Sequence, residues 1–223
     1  MRRAVTVCGV LAALAAVGPP AALAAPANIL AGDPTAPNPD VFNPTTYDHD
    51  AGTLASLTWV AGGSHDADAI GIGPDEGPLF RTELTRSATI VPGTQYLSLG
   101  AYSFICTVHS GMAGTLNVNL GVPKPRPTIT LKVKTKSLAQ AVKKAEVKVK
   151  VTITGGSGEE AEVKLKLGKK AIGVPTAVTA SRTVKIALTN KGHSALEKKE
   201  KASVKAEASI EFGGPATAKG SLK

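Results

Sequence analysis

From residue 128 onward the chain alternates. Ile129, Leu131 and Val133 fall on one face and Lys132 and Lys134 on the other. Val147, Val149, Val151 and Ile153 repeat the pattern, followed by Val163, Leu165 and Leu167, then Val184, Ile186 and Leu188. Ala202, Val204, Ala206, Ala208, Ile210 and Phe212 close the series. A period of two puts every second side chain in a core and the intervening lysines in water, which is strand patterning. Residues 155–158, Gly-Gly-Ser-Gly, predict a hairpin-like turn, and residues 137–144 predict one or two helical turns. The helix-forming run at 196–201 competes with the alternation that follows, and the alternation is taken to prevail. Phe212 is the single aromatic residue in this half, so its core must be small and aliphatic.

The preceding hundred residues show shorter apolar runs broken by Gly and Pro. Residues 28–31 predict a first strand, and residues 41–62 a strand, a turn at Ala51-Gly52 and a second strand over 54–60. Residues 63–78 are a Gly- and Asp-rich loop. Short strands are predicted at 80–84, 88–91 and 96–99, with a longer one over 101–106 and another over 114–120. Short strands separated by turn residues define an antiparallel β-sandwich. Residues 123–127, Pro-Lys-Pro-Arg-Pro, favour extended polyproline II and mark a boundary. The expected architecture is all-β: one sandwich over 25–122, a linker at 123–127, and an immunoglobulin-like sandwich over 128–223.

Charge divides at the same place. Residues 25–122 hold nine carboxylates and two arginines, a net −7, whereas 123–223 hold 22 Lys/Arg and eight Glu, a net +14. The overall +9 therefore averages two unlike halves. Residues 1–24 read as a secretory signal: Arg2 and Arg3, an apolar stretch from Val5 to Leu23, and the small residues Ala22 and Ala24 before a cleavage point. Cleavage leaves one cysteine, Cys106, and one methionine, Met112. The expected location is extracytoplasmic, with no transmembrane segment in the mature chain. A lone thiol in an oxidising compartment needs a use, and metal ligation is one.

Cys106, His109 and Met112 lie within seven residues as Cys-x2-His-x2-Met. A thiolate, an imidazole and a thioether are soft and borderline donors that suit copper. His65, 41 positions before the cysteine, can supply a second imidazole. The metal ligands expected are His65, Cys106, His109 and Met112, holding one copper. His49 reads instead as a solvated strand end and His193 as a turn residue. Asp66, Asp68, Asp75 and Glu76 read as a surface loop without EF-hand spacing. Trp59 and Tyr102 read as core packing.

By these residues, 41–118 resemble the cupredoxin family of type 1 blue copper proteins, plastocyanin and amicyanin among them. Tyr102, Phe104, Cys106, His109, Met112, Gly114, Leu116 and Val118 match the family's C-terminal motif, and the gap before Met112 is the short-loop form. Leu57-Thr58-Trp59-Val60 precedes His65 as an apolar strand precedes the family's first histidine. The resemblance implies a Greek-key β-sandwich, a type 1 copper and one-electron transfer to a transient protein partner. Copper storage, or a structural envelope role with a vestigial site, are the other readings. Asp66, beside His65, is near the expected cation. An enzyme is not expected: there is no His-x-His pair for further copper sites and no Ser/His/Asp arrangement. The lysine-rich half lacks interleaved aromatics and any nucleic-acid-binding motif. Its alternating lysines read first as solvated strand faces that deter edge aggregation, with an acidic cell-envelope polymer as the other reading.

Overall fold

The computed structural model describes residues 25–223; the export signal read at 1–24 lies outside the described residues. Among the described residues no helix is long and apolar enough to cross a membrane.

The acidic half contains β1 (Asn28–Ala31), β2 (Thr46–Ala51), β3 (Ala55–Trp59), β4 (Asp68–Ala69), β5 (Thr89–Val91), a 3-10 turn (Thr94–Tyr96), β6 (Gly100–Ile105) and β7 (Ala113–Gly121). They form two sheets, β1-β3-β5 and β2-β7-β6-β4. The β1/β3 and β2/β7 pairs are parallel and the others antiparallel. Inward residues of both sheets share one core. Phe104 is at its centre, with ring centroids 4.8 Å from Phe42, 6.0 Å from Phe80 and 6.2 Å from Tyr47. A methyl group added at Gly114 would fall 2.5 Å from the Phe104 ring, so the aromatic fills the space that glycine leaves.

Three local expectations for this half are corrected. Residues 80–84 are not a strand. Their backbone groups bond to separate partners: the Phe80 carbonyl to Ala69 N–H, Arg81 N–H to the Pro92 carbonyl, and Thr82 N–H to the Asp68 carboxylate. The strand expected over 96–99 is replaced by the 3-10 turn. Gly93 enters it at φ 99° and donates its N–H to the buried Gln95 side chain at 2.9 Å. His49 is not solvated. In β2 the inward positions are Tyr47, His49 and Ala51, and His49 is 1% exposed, its Nδ1 accepting the Ala27 N–H at 3.1 Å.

The basic half contains β8 (Thr128–Val133), α1 (Leu138–Lys144), β9 (Glu146–Thr154), β10 (Ala161–Leu167), β11 (Lys170–Ala171), β12 (Thr176–Val178), β13 (Arg182–Ala187), α2 (Asn190–Glu197), β14 (Ala202–Ile210) and β15 (Ala216–Leu222). One sheet runs β8-β9-β13; the other runs β11-β10-β14-β15, with β12 also on β10. Every pair here is antiparallel. The alternating valines and leucines of both sheets meet in a second, aliphatic core. The chain is thus all-β in architecture, with two β-sandwich cores.

Corrections here follow from sheet membership. Residues 155–158 are a crossover, not a hairpin, because β9 pairs with β8 and β13 whereas β10 pairs with β14. The run at 196–201 is helical only at its first two residues. α2 lies over 190–197, Thr189 caps it by accepting the Gly192 N–H at 3.0 Å, Leu196 is buried, and the alternation downstream forms β14 as expected. His193 is therefore helical, its Nε2 2.9 Å from the Val142 carbonyl at the end of α1. β11, β12 and β15 are strands that the alternation did not predict, because they lack strong apolar alternation. In β15, Gly220 permits close approach to β8; a methyl there would lie 2.6 Å from Val133 Cβ.

Phe212 departs from its own core. It adopts φ 57°, and its ring packs 6.1 Å from Tyr96 and 4.6 Å from the Arg81 guanidinium. Its N–H donates to Asp75 at 3.1 Å, and Arg81 pairs with Asp75 at 2.9 Å. Tyr96 also donates its hydroxyl to Glu159. Asp75, expected in a surface loop, is a junction residue with a side chain 8% exposed.

Two outcomes follow. Phe104→Ala should destabilise the chain by about 3–5 kcal/mol, the usual cost of removing a buried aromatic, and denaturant unfolding that shows no loss would contradict this packing. Burial lowers the His49 pKa below its usual value. The unfolded state then takes up a proton at higher pH than the folded state does. Stability should fall as pH drops below about 6.5, by at most about 1.4 kcal/mol per pH unit from this one group. His49→Gln should flatten that part of the stability profile.

Candidate metal centre

The hairpin of β6 and β7 builds the site. The two strands pair up to Ile105 and Ala113, and the loop between them carries Cys106, His109 and Met112. Cys106 N–H donates to the Met112 carbonyl at 3.0 Å, and Met112 N–H to the His109 carbonyl at 3.2 Å. Gly111, at φ 83°, supplies the left-handed step that lets the loop return. His65 arrives from the other side of the site. It is held by paired backbone bonds with Thr85, each 2.9 Å.

These elements bring three donors together. Cys106 Sγ lies 3.3 Å from His109 Nδ1 and 4.0 Å from His65 Nδ1, and the two imidazole nitrogens are 3.2 Å apart. A metal–nitrogen bond of about 2.0 Å and a metal–sulfur bond of about 2.3 Å require, in a trigonal plane, N···N near ~3.5 Å and N···S near ~3.7 Å. The triangle therefore matches one ion to within a few tenths of an ångström. Among the described residues, His65, Cys106 and His109 form the one group of His, Cys, Asp and Glu side chains spaced to hold a metal. His65 and Cys106 are buried, whereas the His109 side chain is 23% exposed. Met112 is buried on the same loop, its carbonyl holding the Cys106 amide.

A surrounding layer orients the donors. His65 Nε2 lies 2.9 Å from the Ala61 carbonyl, which can only accept. That assigns the proton to Nε2 and leaves the Nδ1 lone pair aimed at the thiol. Asp40 reaches across both rings, with Oδ1 3.8 Å from His65 Nε2 and Oδ2 3.7 Å from His109 Nε2. Gly63 N–H fixes that carboxylate at 2.8 Å. A methyl at Gly63 would fall 2.9 Å from His109 Nε2, so the backbone there serves as a wall of the site. Trp59 donates its indole N–H to the Gly63 carbonyl at 2.8 Å.

Asp66 corrects another expectation. It is not a surface-loop acid but is 5% exposed, accepting the Thr107 N–H at 2.7 Å and the Thr107 hydroxyl. It thereby ties the His65 segment to the cysteine loop. Asp40 was not singled out in the sequence. It has no fixed spacing to any ligand and no local motif around it; only the fold brings it to the imidazoles.

Burial pushes the Cys106 thiol above its ordinary value. The metal-free thiol should therefore be mostly protonated near neutral pH and react slowly. Alkylation by iodoacetamide at pH 7.5 should be at least about tenfold slower in the folded chain than in urea. Equal rates would contradict the burial.

No protein-family model matches the sequence, and no curated protein matches it. Among solved structures, the chain is similar to the BSP domain of a biofilm-associated protein, at 12% identity and a TM-score of 0.24, covering 90% of this chain and 29% of that one. It is also similar to a structure described for host cell surface retention of a 1.5-MDa bacterial ice-binding adhesin, at 14% identity and a TM-score of 0.28, covering 88% and 62%. The chain spans less than two thirds of either structure. Neither likeness bears on the site. Fold and site together define a β-sandwich protein with a His/Cys/His donor set, two of its three members buried, able to hold a metal ion.

Proposed function

We propose that this chain is an exported type 1 copper protein that carries one electron at a time in the cell envelope. The observation that supports this reading best is the His65–Cys106–His109 triangle, whose two nitrogens and one thiol sulfur match a trigonal site in donor type and size. Met112, the remaining sulfur on the loop, would supply a fourth donor in this reading. Copper held there supplies a Cu(I)/Cu(II) couple that changes charge with little change in ligation.

The protein's own groups account for the rest. Burial of Cys106, with His65 and Met112 also buried, keeps water from the thiolate, and the β6–β7 hairpin restricts ligand movement. His109 is the donor with an exposed edge, and Val108 beside it is 55% exposed, which suits a small, transient contact with a redox partner protein. The resemblance of residues 41–118 to cupredoxins agrees with this assignment. Export, read from residues 1–24, sets the compartment.

The test is to add Cu(II) to the purified chain and to Cys106→Ser, and to record visible spectra. An intense thiolate-to-copper band in the parent, lost in the variant, is expected, together with a reversible one-electron wave in voltammetry. A colourless complex would overturn the type 1 assignment. A coloured complex without a reversible wave would overturn the carrier role and favour copper storage.

A further inference from the structure

The outer face of the β8-β9-β13 sheet carries a charge pattern that its own fold does not use. In register, Lys132 stands opposite Lys150 and Lys148 opposite Lys185. Lys134 continues the second row, its N–H bonded to the Lys148 carbonyl at 2.8 Å. Like charges directly opposite on a sheet face are destabilising. Among the described residues, none of these five lysines has an ion-pair partner. Glu146, at the end of β9, is the carboxylate on this face.

The other sheet also sets lysines side by side, Lys205 between Lys166 and Lys219, but there carboxylates are interleaved with them. Lys164 pairs with Glu162 at 2.5 Å, Lys166 with Glu207 at 2.6 Å, and Lys205 with Glu207 at 2.9 Å. Lysines on sheet edges deter aggregation, which suffices for those on β8 and β13. It does not explain Lys148 and Lys150, which lie on the central strand.

We infer that this face is a docking surface for a linear polymer bearing repeated phosphate groups: lysine ammonium groups and threonine hydroxyls are single-point donors that suit phosphate, and no arginine stands among these residues to fork a planar carboxylate. Strand spacing sets the lysines about 5 Å apart across the sheet and about 7 Å apart along each strand. A polymer with anions at comparable intervals meets successive lysines. Thr130, Thr152 and Thr183 share the face and offer hydroxyl donors. Single-stranded nucleic acid is disfavoured because no aromatic side chain is available for stacking; the half's one aromatic, Phe212, is buried at the junction. A bilayer is disfavoured because none of the exposed large apolar side chains lies on this face to insert. The inference is independent of the metal reading.

The experiment compares the parent chain with Lys148→Gln/Lys150→Gln/Lys185→Gln, and with Lys164→Gln/Lys166→Gln/Lys205→Gln on the ion-paired sheet. Binding of sodium polyphosphate and of polygalacturonate is titrated at several salt concentrations. The first triple variant should lose about tenfold or more in affinity and show a shallower salt dependence, while the second retains most of its affinity. Binding of polyphosphate supports the surface, and binding of polygalacturonate alone would overturn the phosphate assignment. Restoration by arginine at positions 148, 150 and 185 supports it too. The melting midpoint of the first variant should equal or exceed the parent's, because repulsion has been removed. Equal loss in both triples, no binding by the parent, a lower midpoint, or tighter binding to duplex DNA or phosphatidylglycerol vesicles would overturn the inference.

Discussion

The backbone bond from Cys106 N–H to the Met112 carbonyl closes the loop on which the site depends. It extends the β6–β7 ladder one step beyond the last strand residues, so the cysteine and the residues after it inherit the rigidity of a sheet. The aromatic cluster beneath fixes that ladder. Phe104, two residues before Cys106, packs against Phe42 and Phe80, and its ring fills the space beside Gly114 across the hairpin. Position at the donor triangle is thus set by a core to which Cys106 and Met112 themselves belong. Asp66 adds the crosslink that brings the His65 segment to the same frame.

The two sandwiches solve their packing problems with different residues. The acidic one is built around aromatics, and the basic one around Val, Ile, Leu and Ala in strict alternation. The basic half's single aromatic is placed at the junction. Phe212 and Tyr96 stack obliquely there, with Arg81 over the Phe212 ring and Asp75 holding both Arg81 and the Phe212 backbone. Burial alone would raise the Asp75 carboxyl, but Arg81 and the Phe212 N–H outweigh it and hold it below the usual range.

What was legible in the sequence depended on distance along the chain. The Cys106–His109–Met112 run is local, and its donor chemistry can be read without a fold. His65 could be added because few histidines were available. The alternating strands of the basic half were legible for the same reason, since a period of two needs only neighbouring residues. Which sheet a strand joins is a non-local fact. Residues 155–158 look like a hairpin turn but cross between sheets, because β9 already has partners on both sides. His49 reads as solvated in the sequence because two flanking aspartates obscure an inward series of Tyr47, His49 and Ala51. At 190–197 a capped helix with one buried leucine precedes the alternation, which begins at Ala202 and forms β14. Asp40 could not have been found by any local rule.

Asp40 has a consequence for selectivity. Its carboxylate faces the outer nitrogens of both imidazoles at 3.7–3.8 Å and is anchored by a backbone amide, so it cannot turn away without losing that bond. A fixed negative charge beside a cation site stabilises each occupant in proportion to the occupant's charge. Sulfur and imidazole donors discriminate among ions by softness and size; this carboxylate discriminates by valence. The pocket therefore weighs two independent properties of any ion that enters it, and the second is set by a residue that need not touch the ion.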